Sequence, residues 1–393
     1  MKIFQINSVC GIGSTGRICT DLLDVLVEYG HDSLIAYGRE CAPQKYLDRS
    51  IKIGSNFSVK LHGIKARLFD GVGLGSKGPT KRLIKRIKEY APDIIHIHNL
   101  HGYYINLKVL FDYLSKADIP VVWTLHDCWA FTGHCAHFSI KGCKKWQSGC
   151  HHCSQKNKYP KSVLLDRSKR NYNLKKRLFT SVKNLTVVTP SEWLKGLVEQ
   201  SFLAKYPVRV INNGIDLSVF KPSISDFREK YHLENKKIVL GVATSWNESK
   251  GINDFISLAG TLSDEYKMVL VGVTEEQQKS LPENILAISR TNSAAELAQI
   301  YTAADVFLNL TYEDNYPTVN LEAAACGTPV ITYATGGSVE SVKKENVANQ
   351  GDLEKVAYLI DKVCGDKADI NAQFDKNKKY LEYLNLYQEI SGK

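Results

Sequence analysis

No run in the sequence approaches the roughly 18 uninterrupted apolar residues that a membrane-spanning helix needs. The opening stretch, MKIFQINSV, holds too few apolar side chains for the hydrophobic segment of a secretory signal. Internal repeats and low-complexity tracts are absent as well. With 44% hydrophobic residues, the composition is that of a globular protein with packed cores. We therefore expect a cytoplasmic protein.

Acidic residues are scarce in the first half of the chain. Residues 1–200 hold 31 Lys and Arg against 15 Asp and Glu, whereas residues 201–393 hold 20 against 26. Two basic clusters dominate, KRLIKRIK at 81–88 and RSKRNYNLKKR at 167–177. Such clusters are usually solvated helix faces, but they also suit peripheral contact with an anionic membrane or a lipid-diphosphate acceptor. Because no recognised nucleic-acid-binding motif accompanies them, we expect no nucleic-acid partner.

The most informative stretch is DVFLNLTYEDNYPTVNLEAAACGTPVITYATGG at 305–337. It predicts a strand at 306–310, an acidic loop, a helix that begins near Pro317, and a second strand at 329–333. Three amides at the start of that helix would have no intrahelical acceptor and would form an anion-binding cradle, those of Thr318, Val319 and Asn320.

Asp314 and Glu322 lie eight residues apart, one before this helix and one about a turn inside it. A phosphate on the amides, with a carboxylate on either side to bind hydroxyls, suits a nucleotide sugar. The simpler alternative is an ordinary strand–turn–helix–strand unit whose charges face water.

The stretch resembles the retaining glycosyltransferases of family 4, which carry an E-x7-E pattern followed by an A-x-A/C-G-T/x-P-V segment. The resemblance implies a GT-B fold: α/β, with two doubly wound parallel-sheet (Rossmann-like) domains that face each other across a cleft. It implies that Glu322 binds the donor ribose and that Asp314, with Glu313 next to it, contacts the donor sugar.

Other segments extend the resemblance. PVVWTLHD at 120–127 ends in an H-D pair like the family's, which implies that His126 reaches the donor sugar. In IVLGVATSWNESKG at 238–251, Lys250 matches a lysine aimed at the donor diphosphate, whereas Ser245 stands where the family has arginine. The loop with Ser289 and Arg290 falls where the family holds the nucleotide base.

VRVINNGIDLSVFKP at 208–222 resembles the family's interdomain segment. We therefore expect an acceptor-side domain at 1–205 and a donor-binding domain at 206–372. Residues 373–393 carry a helical apolar stripe, and the resemblance implies that this last helix packs back on the first domain.

A glycine-rich turn, CGIGSTGR, follows the predicted first strand, Lys2–Asn7, and precedes a helix expected at Arg17–Tyr29. It matches the dinucleotide fingerprint, which leaves an NAD(P)-dependent oxidoreductase open. The resemblance implies instead that Gly13 faces the donor and that Gly16 and Arg17 face the acceptor. Arg17 is also the candidate for a second cation that compensates for Ser245.

His96 and His98 alternate along the buried strand at 93–98, and His101 follows in the next turn. Three histidines can resemble a metal site, but two on one face of a strand suit simple hydrogen bonding better. We expect His101 near the rim of the cleft, on the acceptor side.

The segment 128–153 contains half of the ten cysteines. Four of them follow C-x7-C-x6-C-x2-C, which predicts a structural zinc in a reducing compartment: Cys135, Cys143, Cys150 and Cys153. Free cysteines packed in an irregular insert are the alternative.

Together these features predict a retaining, hexosyltransferase-type enzyme that moves a sugar from a nucleotide-diphosphate donor to a lipid-linked saccharide of a bacterial surface polysaccharide. No D-x-D motif lies at the site, so we expect catalysis without a metal cofactor. A nucleotide-sugar epimerase of the same fold and a non-catalytic sugar- or lipid-binding protein remain alternatives, beside the oxidoreductase.

Overall fold

The structure is a computed structural model that describes residues 1–368 and 374–393. The chain forms two compact units, Met1–Asn212 with Lys379–Lys393, and Asn213–Lys378. The first change of unit therefore lies at Asn212/Asn213, seven residues after the predicted 205/206. The predicted boundary at 372/373 falls outside the described residues.

The first unit is a seven-stranded parallel sheet in the order β3-β2-β1-β4-β5-β6-β7. The strands and helices are β1 (Lys2–Asn7), α1 (Gly13–Glu28), β2 (Asp32–Tyr37), β3 (Ser50–Lys52), α2 (Asn56–Phe69), α3 (Lys77–Tyr90), β4 (Ile94–Ile97), α4 (Leu107–Leu114), β5 (Val121–Thr124), α5 (Lys145–Ser148), α6 (Ser168–Phe179), β6 (Leu185–Thr189), α7 (Glu192–Glu199) and β7 (Val208–Val210). Strands β4 and β5 are fully buried, as expected for a parallel sheet covered on both faces.

The second unit is a six-stranded parallel sheet in the order β10-β9-β8-β11-β12-β13. Its strands and helices are α8 (Phe227–Lys230), β8 (Lys237–Val242), α9 (Ile252–Ala259), β9 (Tyr266–Val271), α10 (Glu275–Ser280), β10 (Ile285–Ile288), α11 (Ala294–Ala303), β11 (Val306–Asn309), α12 (Thr318–Ala325), β12 (Val330–Tyr333), β13 (Val347–Ala348) and α13 (Leu353–Val363). Two parallel Rossmann-like sheets confirm the predicted α/β fold class. Among the described residues, no helix is long and apolar enough to cross a membrane.

The last helix, α14 (Lys376–Ser391), contributes to the core of the first unit. Its buried side chains pack against β1 and α1: Tyr380, Tyr383, Leu384, Leu386 and Tyr387. The tyrosine hydroxyls find polar partners in that core. Tyr387 lies 2.6 Å from His96 Nδ1, and Tyr383 lies 3.0 Å from Thr124 Oγ1.

The glycine-rich turn differs from its prediction in one respect. Helix α1 begins at Gly13 rather than at Arg17, and Ile12 is its N-cap. The second half of the glycine-rich turn is therefore already helical. Gly11 has φ +68° and donates its N–H to the Gly16 carbonyl at 3.0 Å. A residue with a Cβ would be strained at Gly11, because Pro43 lies 2.6 Å from where that atom would be.

The cysteine-rich segment is part of the core rather than a loose insert. Trp129, Phe131 and Trp146 are all buried in the main cluster of the first unit. The Phe131 and Trp146 rings pack edge to face at 5.3 Å. Short helical turns and aromatic packing thus hold the segment beside the carboxyl end of β5.

Candidate functional site

In open parallel sheets, ligands bind where the strand order reverses, beyond the carboxyl ends of the strands. In the second unit that point lies between β8 and β11. The loop after β8 carries Lys250, and the loop after β11 carries Asp314. The two residues are 64 positions apart in the sequence, and the sheet brings them together.

The Lys250 ammonium donates to Asp314 Oδ2 at 2.8 Å and lies 3.5 Å from Thr311 Oγ1. The Lys250 side chain is 36% exposed and that of Asp314 is 20% exposed. The pair therefore lies at the surface of the unit, with one cation and one carboxylate next to each other. A phosphate could take the ammonium as a partner while the carboxylate accepts from a hydroxyl.

Helix α12 begins one residue after Pro317, which is its N-cap in an extended conformation. The expected cradle is smaller than predicted. Asn320 donates its backbone N–H to the Pro317 carbonyl at 3.3 Å, and its side chain bridges Asn309 and Ser341 within the core. The amides of Thr318 and Val319 remain the candidates for an anion, because they precede the first intrahelical bond.

Glu322 lies inside α12 and is only 4% exposed. It accepts a hydrogen bond from the Tyr301 hydroxyl at 3.2 Å. A buried carboxylate needs such donors, because desolvation of its charge is costly without them. Glu322 thus lies on the helix that follows β11, one of the two strands at the switch point.

The remaining predicted donor residues lie on loops at the carboxyl edge of the second sheet. Ser245 is exposed after β8, Ser289 and Arg290 are exposed after β10, and Glu313 is half-buried beside Asp314. Gly272, after β9, has φ +92°, and a Cβ there would lie 1.7 Å from the Ala243 carbonyl oxygen. The backbone at Gly272 thus lies in close contact with the backbone at Ala243, just before the Ser245–Lys250 loop.

In the first unit the strand order reverses between β1 and β4. The glycine-rich turn follows β1 and places Gly13, Gly16 and Arg17 at this edge, with Gly13 and Arg17 exposed. The turn is anchored by Asn7, whose side-chain amide donates to the carbonyls of Val9 and Thr15.

The histidines after β4 and β5 form a hydrogen-bonded chain. The Gln5 amide nitrogen donates to Cys19 and Ser33, so its Oε1 accepts from His98 Nε2 at 3.3 Å. His98 Nδ1 is then an acceptor, and His126 Nε2, 3.1 Å away, is the donor. Burial lowers the pKa of His126 to about 4 and that of His98 well below its usual value. His126 is therefore a neutral ring fixed in one tautomer.

His96 supports the hydrogen-bonding interpretation of the strand histidines. Its Nε2 lies 2.8 Å from Thr124 Oγ1, and its ring lies 4.0 Å from that of His98. Both residues are buried, on the same face of β4 as predicted.

His101 is buried rather than on a rim, and it lies in an arrangement that the sequence did not reveal. Its Nε2 lies 2.7 Å from Asp127 Oδ2, and its Nδ1 lies 2.9 Å from the Tyr159 hydroxyl. Burial opposes ionisation of Asp127, but His101 and the Trp129 amide lower its pKa to about 2. The ionised carboxylate accepts the Nε2–H of His101, and the Tyr159 hydroxyl lies at the other ring nitrogen. The only sequence signal was Asp127 next to His126; nothing marked Tyr159.

The four predicted zinc ligands line one pocket of about 320 Å³: Cys135, Cys143, Cys150 and Cys153. A hydrogen bond from the Cys135 thiol and one from the Gln155 amide hold the pKa of Cys153 below its usual value. Within residues 1–368 and 374–393, no group of three or more His, Cys, Asp or Glu is arranged to hold a metal ion. The thiols share a pocket but not a ligand geometry.

One member of the second basic cluster is not at the surface. Lys175 is 2% exposed and donates to the carbonyls of Trp129 at 2.7 Å and Thr132 at 3.2 Å. Burial lowers its pKa to about 7. Lys175 therefore anchors the cysteine-rich segment and is not available to an anionic surface.

Two family models match the chain. Residues 15–219 match the model described as Glycosyltransferase Family 4, and residues 223–380 match the model described as Glycosyl transferases group 1. The first match covers more than half of the 393 residues. The chain belongs to glycosyltransferase family 4. This confirms the predicted family and favours a glycosyltransferase over an NAD(P)-dependent oxidoreductase.

Relatives that are named as glycosyltransferases support the assignment to family 4. The putative colanic acid biosynthesis glycosyl transferase WcaC of Escherichia coli is 25% identical over 419 aligned positions, 99% of this chain and 100% of the relative. The N,N'-diacetylbacillosaminyl-diphospho-undecaprenol alpha-1,3-N-acetylgalactosaminyltransferase of Campylobacter jejuni is 26% identical over 200 positions, 45% of this chain and 53% of the relative.

Two solved structures show the same GT-B fold at 16% identity. Sucrose-phosphate synthase of Thermosynechococcus elongatus has a TM-score of 0.73, covering 100% of this chain and 99% of the other. Anabaena HepE in complex with UDP-glucose has a TM-score of 0.62, covering 100% and 98%.

Proposed function

We propose that this glycosyltransferase transfers a hexose, with retention of anomeric configuration, from a nucleotide-diphosphate sugar to a hydroxyl of a lipid-linked saccharide in bacterial surface polysaccharide synthesis. The observation that carries the proposal is the Lys250–Asp314 pair at the switch point of the second sheet, with Asp314 in the loop that leads to α12 and Glu322. The full-length similarity to WcaC supports the pathway. The name of the Campylobacter jejuni relative supports a lipid-linked acceptor and an α-linkage.

On the donor side, Lys250 and the amides of Thr318 and Val319 hold the diphosphate, and Glu322 holds the ribose. Asp314 and His126 contact the sugar. The departing phosphate takes the acceptor proton on the same face, so no protein nucleophile is required. Lys250 and the helix amides supply the positive charge in place of a divalent ion.

On the acceptor side, we propose that His101, Asp127 and Tyr159 hold a hydroxyl of the acceptor saccharide, with Gly16 and Arg17 nearby along the same sheet edge. The Tyr159 hydroxyl lies 2.9 Å from His101 Nδ1, and a phenol oxygen can form a second hydrogen bond, to a hydroxyl of the acceptor. Half of the Tyr159 surface is exposed, which leaves room for a sugar ring against the aromatic face.

The activity is tested by incubating the protein with a panel of UDP-, GDP- and dTDP-sugars and a membrane lipid extract. We expect release of nucleoside diphosphate that depends on the extract, and a product with the donor's anomeric configuration by NMR. An inverted product would reject retention, and an epimer formed from the donor alone would reject transfer. Donor binding without turnover would indicate a binding protein.

Glu322→Gln tests the ribose contact within that assay. Charge-assisted hydrogen bonds contribute roughly 1.5–3 kcal/mol each, so we expect donor affinity to fall at least about tenfold, measured by calorimetry. Glu354→Gln, at an exposed position in the first turn of α13, is the control and should bind as wild type does. Unchanged donor affinity in Glu322→Gln would remove the ribose assignment.

We also propose a structural zinc in the cysteine pocket. Binding would require the four thiols to move into a tetrahedral arrangement around the metal. Protein purified without chelator should then contain about one equivalent of zinc by elemental analysis. Cys150→Ser and Cys153→Ser should each lose the metal and lower the melting temperature, whereas Cys41→Ser, an exposed cysteine elsewhere in the unit, should do neither. Metal-free protein with the same melting temperature in chelator would leave four free thiols.

A further inference from the structure

The apolar face of α2 is turned outward, which is unusual for a helix that packs on a core. Helix α2 buries His62, Gly63 and Ala66. On the opposite face, Phe57, Leu61 and Ile64 are 76%, 43% and 57% exposed. Positions 57, 61 and 64 follow the i, i+4, i+7 spacing of one helical stripe.

A second segment extends this stripe. Val163 donates its backbone N–H to the Arg67 carbonyl at 2.6 Å, and Leu165 donates to the Leu68 carbonyl at 3.3 Å. The segment Val163–Leu165 therefore lies against the end of α2. Its three side chains are 51%, 59% and 38% exposed, and Phe69 beside them is 43% exposed. We call the stripe and this segment together the apolar ridge, made of Phe57, Leu61, Ile64, Phe69, Val163, Leu164 and Leu165.

The ridge is bordered mainly by cations. Lys60 and Arg67 lie along one side of the stripe and Lys65 along the other, all exposed. Residues 49–88 contain 11 Lys and Arg and a single acidic residue, Asp70. Asp70 is 1% exposed and lies 2.6 Å from His134 Nδ1. The exposed charge within 49–88 is therefore all positive. Beside the other part of the ridge, Asp166 is an exposed acid whose carboxylate accepts from the Cys153 and Ser168 amides.

We propose that the apolar ridge inserts into the headgroup layer of an anionic lipid bilayer, with its bordering lysines and arginines on the lipid phosphates. Contiguous exposed apolar surface marks an interaction site, and an apolar stripe between basic residues is the pattern of an interfacial helix. A protein partner or a second copy of the chain would have to supply matching acidic groups. The basic face of α3, with the cluster at 81–88, adjoins the same stretch of chain and adds long-range attraction.

Phe57 and Ile64 lie on α2, which carries none of the proposed donor or acceptor residues. Lipid binding can therefore be measured without knowing the sugar or the acceptor. The probe is flotation with vesicles of phosphatidylglycerol and phosphatidylcholine in equal parts, compared with phosphatidylcholine alone. We expect wild-type protein to float with the anionic vesicles, to bind the neutral vesicles poorly, and to dissociate in high salt.

Two variants separate insertion from simple charge attraction. Phe57→Gln with Ile64→Gln should lower the partition coefficient at least about tenfold, because two large apolar side chains no longer leave water. Ile224→Gln in the second unit, where Ile224 is 96% exposed, is the matched control and should bind as wild type does. Circular dichroism and the melting temperature should be unchanged in both proteins.

Three results would overturn the inference. One is binding of the Phe57/Ile64 variant at wild-type strength, which would show that the ridge stays in water. Another is no wild-type binding to either vesicle. The last is a wild-type dimer without lipid that becomes monomeric in the same variant, which would assign the ridge to self-association.

Discussion

Lys250→Ala should lower turnover about a hundredfold or more, with a smaller effect on donor affinity. A cation aimed at charge that develops in the transition state contributes roughly 2.7–4 kcal/mol. In this chain Ser245 stands where the resemblance to the family leads us to expect arginine. We therefore expect Lys250 to carry more of that task in the second unit. The helix amides help, but a helix terminus is equivalent to only about half a charge.

The Lys250 ammonium has a defined position in the structure, because its Nζ lies 2.8 Å from Asp314 Oδ2. Steady-state kinetics and donor titration should be compared among Lys250→Ala, Arg17→Ala and Lys237→Ala. Lys237 is a matched control in the same sheet, paired with Glu265 at 2.7 Å at the opposite end of β8. If Lys250→Ala retains its turnover while Arg17→Ala loses it, the compensating charge comes from the glycine-rich turn. If neither change matters, the phosphate site has been placed wrongly.

The second large effect is a loss of stability in mild acid. The pKa values of His62, His96, His98 and His126 are all lowered, in each case chiefly by burial, and those of His62 and His126 fall to about 4. These side chains are neutral in the folded protein, whereas in the unfolded chain they bind protons below about pH 6.5. The unfolded state then binds more protons, so the free energy of unfolding falls as the pH drops.

The pH range of this loss is bounded by the histidine pKa values in the unfolded chain and in the folded protein. The stability should be fully present above about pH 6.5 and should be lost progressively as the pH falls to about 4. For His62 alone, a shift of this size corresponds to about 3 kcal/mol as an upper bound. Urea unfolding at several pH values measures the slope.

His62→Gln tests one contributor. The His62 ring accepts from the Gly75 amide at 3.0 Å and lies 3.0 Å from Ser76 Oγ, contacts that a glutamine amide can partly replace. This variant should have a shallower pH dependence than wild type, whereas His151→Gln, at an exposed histidine, should not change it. A wild-type stability that is flat from about pH 7 to 4.5 would contradict the assignment of buried neutral histidines.

The stretch 305–337 shows what local sequence can predict. Its strand, proline-led helix and second strand all lie within one or two residues of their predicted bounds, because apolar runs, Pro317 and the following alanines act over a single turn of chain. The order of elements and the fold class follow from the same signals. The predicted start of α1 is wrong by four residues. A glycine-rich sequence predicts a loop, whereas here the first turn of the helix begins at Gly13.

The sequence alone determined the family and the parallel α/β architecture, because spacing within a motif survives without knowledge of packing. The donor-site residues that it indicates remain predictions. Only the tertiary structure decided which distant groups meet and which faces are covered. It paired Lys250 with Asp314 and Tyr159 with His101, and it buried Lys175 within a cluster that looks like a solvated surface. It also left the apolar stripe of α2 exposed. The physical reason is that burial and partners depend on which elements the sheet places side by side, whereas the periodicity of a helix is the same whether its apolar face meets a core or not.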